Sequence, residues 1–335
     1  MLTLRTLQRC PQFPLSNPEK SRKTLIAILL LLALLLGAGW AWTPEANRAE
    51  LEARYAAPPS RFVDAGGQRW HVRDTAPPVV PGAPAAPTVL MLHGFGSSLH
   101  TWEAWAQGLK VTHRVVRIDL PGAGLTGPDA AGRYDDEHAV QQLLTLMDKL
   151  GLQRASLIGH SMGGRLAWRL AAEHPERIDR LVLVAPDSFA SPGFEYGRAP
   201  NIGISVQLMR WALPRVVLRS WLEPAYANPA LLDEDSVTRF HQMLLVPGVR
   251  GALIQRMQQL VLQPPEPLLA RVQAPTLLVW GERDAMIPVA NAQDYLHALP
   301  AATAARLVTL TGLGHVPHEE DPAAGLPALR AFLAP

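Results

Sequence analysis

An α/β fold with a mostly parallel sheet is what this sequence predicts, on three observations. Short apolar runs alternate with amphipathic helical stretches across residues 88–186, and the alternation resumes at residue 275. The runs are apolar throughout, as strands covered on both faces require. A helical, aromatic stretch interrupts the alternation between these two parts. Strands alternating with helices build βαβ units, whose crossovers are right-handed.

The elements follow in order. Residues 24–43, TLIAILLLLALLLGAGWAWT, carry no charge. A helix of that length spans roughly the 30 Å hydrocarbon core of a bilayer. Trp40 and Trp42 stand at its far end, and amphipathic rings favour the lipid–water interface. Lys20, Arg22 and Lys23 precede it, with Arg5 and Arg9 further back, while mixed charge follows. That bias predicts a single-pass signal anchor with a cytoplasmic tail (residues 1–23) and the bulk of the chain outside the cytoplasm, which is the periplasm if the cell is Gram-negative. A cleaved signal peptide competes with this reading, although no clean small-x-small site follows. A buried core helix would leave the all-round apolarity unexplained. Cys10 precedes the apolar stretch and is not placed as a lipoprotein acylation site.

Residues 44–60 read as a linker with a short charged helix over 45–55. Residues 61–63 and 68–73 read as strands joined by a Gly66-Gly67 turn. Residues 76–87 form a Pro- and Ala-rich loop. Strands are expected at 88–92, 114–118, 155–158 and 181–185, and helices at 101–108, 135–150 and 161–173. Ala139, Leu143, Leu146, Met147 and Leu150 share one face of the second helix. Residues 187–265 read as an inserted helical lid, punctuated by Pro200, Pro214, Pro224, Pro229 and Pro247. The core (61–186) resumes over 266–335, with strands at 275–280 and 306–310 and a last helix at 322–332.

The 335 residues are 48% apolar and 18% charged, which suits a sizeable buried core. A formal charge of +2 argues against a nucleic-acid partner. A single cysteine excludes an intrachain disulfide and leaves the compartment open.

The chemistry concentrates in one constellation. Gly159-His160-Ser161-Met162-Gly163 matches G-x-S-x-G, after an expected strand and before an expected helix. A nucleophile on so tight a turn needs small neighbours, which Gly159, Gly163 and Gly164 supply. The new helix aims its positive end at charge developing there. A serine hydroxyl needs a base, and His315 in a Gly-rich loop after the last strand is the candidate. Asp284, after the strand PTLLVW, is the candidate acid to orient that imidazole. Asp187, after the strand LVLVA, would also fit the order Ser, Asp, His. An oxyanion hole needs two donors, each worth about 2.7–4 kcal/mol of barrier. The backbone N–H groups of Met162 and Phe95 are the candidates.

These motifs carry a resemblance. The chain resembles the α/β-hydrolase superfamily, in particular its lid-bearing esterases and carbon–carbon bond hydrolases. The matching blocks are HGFG (His93 to Gly96), DLPGAG (Asp119 to Gly124), GHSMGG (Gly159 to Gly164), GERD (Gly281 to Asp284) and GHVPHEE (Gly314 to Glu320), in the family's order. Together they span roughly residues 61–335. The resemblance implies an eight-stranded sheet with one antiparallel strand near its start, and hydrolysis without metal or organic cofactor. Haloalkane dehalogenases and epoxide hydrolases of this superfamily use an aspartate nucleophile, whereas serine implies an acyl intermediate. HGFG differs from the HGGG form of many lipases and puts Phe95 at the pocket entrance.

The expected activity is hydrolysis of a small hydrophobic acyl ester. A carbon–carbon bond hydrolase of ring-cleavage products, a cofactor-free haloperoxidase or acyltransferase, and a non-catalytic binding module are the alternatives. His318 and Glu319 are expected to brace the His315 loop, Asp119 the turn at Pro121-Gly122, and His93 the oxyanion loop. His160 is expected to pack and orient. In the lid, Met209, Trp211, Trp221, Tyr226, Phe240, Met243 and Met257 are either core or the roof of an apolar pocket. Arg198, Arg210, Arg215 and Arg219 are a solvated face or meet anionic headgroups.

Overall fold

The computed structural model describes residues 18–78, 81–82, 84–190 and 195–334. Arg5, Arg9 and Cys10 lie outside them. The chain divides into two compact units, with the boundary in sequence between Trp42 and Thr43.

The first unit contains α1 (Pro18–Ala41), a 24-residue helix. Its segment Arg22–Ala41 is long and apolar enough to cross a membrane, and none of the window is buried by the rest of the chain. A membrane anchor and a signal sequence both have this form.

The second unit is built on eight strands: β1 (Ser60–Ala65), β2 (Gln68–Thr75), β3 (Thr88–Leu92), β4 (Arg114–Ile118), β5 (Ala155–His160), β6 (Ile178–Val184), β7 (Thr276–Gly281) and β8 (Arg306–Leu310). They form one sheet in the order β1-β2-β4-β3-β5-β6-β7-β8. β2 runs antiparallel to β1 and β4, and every other neighbouring pair is parallel. The β1–β2 hairpin turns at Gly66 (φ +59°) and Gly67 (φ +76°). A two-residue hairpin with positive φ at both positions suits glycine best. β3, β4 and β8 lie where the apolar runs place them. β5 continues through His160 and β6 begins at Ile178, because their ends pair with one another beyond the apolar stretch.

The main helices of the core are α2 (Arg48–Tyr55), α3 (Glu103–Leu109), α4 (Asp136–Lys149) and α5 (Met162–Glu173). Asp135 caps α4 by accepting from the His138 N–H. Val140 and Leu144 join the expected buried face of α4. The helix expected over 101–108 instead starts as a 3-10 turn at Leu99, whose N–H donates to Asp119 Oδ1 at 2.7 Å. The lid holds α6 (Ile204–Leu208), α7 (Arg215–Leu222), α8 (Glu234–Leu244) and α9 (Val249–Gln259). After it come α10 (Glu266–Leu269), α11 (Asn291–Ala298), α12 (Pro317–Glu320) and α13 (Pro322–Leu333). The first three of these escape the sequence pattern. They are at most eight residues long, and α11 buries only Ala292 and Tyr295, too few positions to display a period.

Residues 44–60 do not hang free. Ala46 N–H donates to Leu245 O at 2.8 Å, and Leu51 is buried with Met209, Leu213 and Leu253 of the lid. One buried apolar side chain in the eight residues of α2 is a weak signal in sequence.

The core has a cluster on each face of the sheet. Leu90 and Leu92 point to the side covered by α4 and α5, with Leu143, Met147, Leu166 and Leu170. Val89 and Met91 point to the side of α3 and α13, with Trp105, Leu109, Leu329 and Phe332. Two-sided burial is the reason these strands are apolar throughout.

Candidate active site

Ser161 lies between the last residue of β5 and the first of α5, with φ 51° and ψ −121°. A non-glycine residue at positive φ costs of order 1–3 kcal/mol and persists only where its surroundings hold it. Here the backbone does so. Ser161 N–H donates to Val184 O at 3.0 Å, and Ser161 O accepts from Arg165 N–H at 3.0 Å. The neighbours must also be small. A Cβ on Gly164 would come within 2.8 Å of Pro186 Cβ, and one on Gly94 within 2.7 Å of His160 Nδ1. Met162 opens α5, so its N–H is among the first four that lack an intrahelical acceptor.

His315 follows β8 in the Gly312–Gly314 loop. Its Nδ1 lies 2.8 Å from Asp284 Oδ2, with both side chains at most 4% exposed. The other oxygen, Asp284 Oδ1, accepts from the N–H groups of Met286 and Ile287 at 2.8 Å each. The carboxylate is therefore oriented before it meets the imidazole. His315 N–H donates to Ala225 O of the lid at 2.8 Å. His160 Nε2 donates to His315 O at 2.9 Å. Asp187, the other acid the sequence offers, is engaged elsewhere. Its Oδ2 lies 3.0 Å from Arg165, which also bonds Asp136 at 3.1 Å. Burial pushes the Asp187 carboxyl above its usual range.

Two cavities meet at this point, of about 200 and about 230 Å³. Both are lined by Phe95, Ser161, Met286 and His315. The larger runs under the lid among Met209, Leu218, Trp221, Leu222, Phe240 and Leu253. The smaller runs past Met257, Leu260 and Leu262 to Arg165, Asp187 and Arg256. Of the lid residues singled out in sequence, Met209, Trp221, Tyr226, Phe240 and Met257 line a cavity. Met243 is packed in the lid's own core. Trp211 is 48% exposed. Arg215 and Arg219 pair with Glu234. No group of three His, Cys, Asp or Glu side chains able to hold a metal occurs among the described residues.

Residues 87–322, more than half of the chain, match the family described as the alpha/beta hydrolase fold. The chain belongs to this family. A candidate carbamate hydrolase, RutD, of Pseudomonas savastanoi pv. phaseolicola is 32% identical over 254 residues, covering 74% of this chain and 93% of that protein. Among solved structures, a meta-cleavage product hydrolase (CumD) of Pseudomonas fluorescens IP01 superposes with a TM-score of 0.67. It is 20% identical and covers 81% of this chain and 96% of its own. A bacterial membrane phospholipase A superposes with a TM-score of 0.66 at 23% identity, covering 93% of this chain and 98% of its own. The protein is an α/β-hydrolase enzyme.

The supporting residues of this α/β-hydrolase show where the sequence reading was incomplete. The His315 loop is held by Glu320, which accepts from Gly314 N–H at 2.6 Å and Ala227 N–H at 2.9 Å. Glu320 stands within the GHVPHEE block, but nothing in its spacing separates it from Glu319. Glu319 instead joins lid to core, accepting from Tyr226 Oη at 2.7 Å and Arg239 at 2.9 Å. His318 is stacked on Trp102 with ring centroids 4.5 Å apart, and burial pushes its imidazole down to about 3. Burial likewise holds His160 well below the usual histidine range. A neutral His160 is a spacer and donor rather than a second base. Asp119 does more than fix the Pro121-Gly122 turn. It accepts from Leu99 N–H, Leu125 N–H and His71 Nδ1, each at 2.7 Å. His93 Nε2 accepts from Leu120 N–H at 3.0 Å while Nδ1 donates to Gly94 O at 2.8 Å, so it anchors the loop that carries Phe95. Phe95 is 44% exposed and lines both cavities.

Proposed function

We propose that the protein is a serine hydrolase of carboxylic esters with hydrophobic acyl groups, acting through an acyl-enzyme. The observation that carries this is Ser161 on a strained elbow, sharing its cavities with a His315 whose far nitrogen lies 2.8 Å from Asp284. Ser161 Oγ attacks the ester carbonyl while His315 Nε2 takes its proton. The carbonyl electron pair moves to oxygen, where the N–H groups of Phe95 and Met162 receive it. Collapse expels the alcohol, which leaves with the proton from His315. Water repeats the sequence on the acyl-enzyme and releases the acid. Asp284 keeps the imidazole in the productive tautomer and stabilises its protonated form. The lined apolar cavities support an apolar acyl group.

The test is hydrolysis of p-nitrophenyl esters from acetate to palmitate, beside the Ser161→Ala protein. Activity lost in the variant supports the reading, and full activity in Ser161→Ala overturns it. A second reading rests on the relative named for carbamates: the same Ser161 attack would cleave a carbamate carbonyl. Turnover of phenyl carbamate but of no ester would favour it.

Membrane attachment belongs to the same proposal. The exposed apolar helix Arg22–Ala41 supports a signal anchor with its catalytic unit outside the cytoplasm, where it would meet hydrophobic esters at a lipid surface.

A further inference from the structure

The two cavities share Phe95, Ser161, Met286 and His315 and otherwise have different walls. A substrate with two arms about a carbonyl at Ser161 therefore has room for one in each. The chamber under the lid is closed by Leu218, Trp221, Leu222, Phe240 and Leu253, all apolar. A hydrocarbon arm gains about 0.8 kcal/mol for each methylene buried in such a place, whereas a polar arm would find, beyond Ser161 and His315, only Ser97, Thr101, His160 and Tyr226, the last three already bonded to Glu319 or His315.

The second chamber begins apolar at Met257, Leu260 and Leu262 and ends in polar groups: Asp187, Ser188, Arg256 and Asn291. Its charges are offset within the protein. Arg165 is shared by Asp136 and Asp187, and Arg256 stands near Asp187, Asp136 and Asp129, the last of which is bonded by His138. Arg256 spends one nitrogen on Pro121 O and lies over the Tyr134 ring at 5.0 Å from its centroid. Among the described residues no carboxylate forms an ion pair with it. Carboxylates beside both guanidiniums offset their charge and leave little to attract an ionised group, while donors and acceptors stand side by side. That combination suits a neutral group that both donates and accepts hydrogen bonds.

We infer that the substrate is an acyl ester of a hydroxyl-bearing alcohol, of the glycerol kind. The acyl chain lies in the chamber under the lid, and the hydroxylated alcohol lies in the Asp187–Arg256 chamber. Phe95 and Met286 form the partition between them. This rests on the ester reading above.

The chambers are separable by experiment because Leu222 and Leu260 are only half-buried and line one cavity each. The full-length chain carrying Ser161→Ala, in detergent micelles, is titrated calorimetrically with 1-O-alkylglycerol ethers and the matching alkyl methyl ethers, from butyl to dodecyl. Affinity should climb with chain length, and the glyceryl ligands should bind more tightly than the methyl ethers. Adding Leu222→Trp should flatten the chain-length dependence and weaken the dodecyl ligand by at least about tenfold. Adding Leu260→Trp should preserve that dependence and abolish the glyceryl preference. Unchanged thermal unfolding qualifies each variant, with Leu218→Phe and Met257→Phe in reserve. Reversed effects, equal effects of both variants, or a carboxymethyl head binding better than the glyceryl one would overturn the assignment. Hydrolysis of 1-decanoylglycerol by the unsubstituted chain is measured separately. Binding as described with no hydrolysis of any ester would sink the ester reading and leave the chambers standing.

Discussion

At the scale of single residues, Asp284 and Asp187 make a controlled comparison. Both follow strands of the same sheet edge, and only Asp284 meets His315. Asp284→Asn should lower kcat by about 10⁴-fold, through the wrong imidazole tautomer. Ser161→Ala should lower it by about 10⁶-fold. Asp187→Asn should leave kcat within about tenfold and show its effect in KM and in stability, because its partner is Arg165. The buried histidines make a further prediction, in pH. Burial pushes His100 down to about 4 and His318 to about 3, from an ordinary value of 6.5. Between those values and 6.5 the unfolded chain binds protons that the folded chain refuses. Stability is therefore complete above pH 6.5 and falls as the pH drops, by about 1.4 kcal/mol per pH unit for each such group. Asp119, held down to about 2 by its His71 partner despite complete burial, adds a loss of the same sign below pH 4. Urea unfolding from pH 7.5 to 4.5 measures this. A flat profile over that range would contradict the buried, neutral state of these rings.

At the scale of elements, the β5–α5 elbow and the loop after β8 are built with opposite tolerances. The elbow excludes side chains. Gly164→Ala presses a methyl group against Pro186 and should cost about 1–3 kcal/mol, read as a lower midpoint in urea. The loop is held by charge. Glu320→Gln weakens two backbone donors at once, at Gly314 and Ala227, each bond to a charged acceptor being worth about 1.5–3 kcal/mol. The variant should unfold at lower temperature and lose kcat more than it changes KM, since the loop positions His315 rather than the substrate. Equal losses in both parameters would instead place Glu320 among the binding groups.

At the scale of the whole molecule, the proposed signal anchor carries a testable orientation. A topology reporter fused to the C-terminus should read out beyond the cytoplasm, with the protein in the membrane fraction. A cytoplasmic signal would overturn the export reading, and a soluble exported protein shortened at its N-terminus would favour a cleaved signal sequence.

Much of this was legible from sequence, for a local reason. Strand and helix periods repeat over a few residues, and TVLML and RVVRI became β3 and β4 without a shift of boundary. The elbow motif is local in its spacing, but only the demand on Gly159, from Gly163 and Gly164, arises within the turn; Gly163 is pressed by Leu92 and His93, and Gly164 by Pro186. The sequence by itself therefore determined the fold class, the family and the candidate nucleophile and base. Tertiary structure decided what depends on side chains far apart in the chain. It brought Asp284 rather than Asp187 to His315, gave the bracing role to Glu320, packed Leu51 beneath the lid and divided the space above Ser161 into two chambers. No repeat or motif records such contacts, since they exist only once the lid, the sheet edge and the last loops occupy the same place.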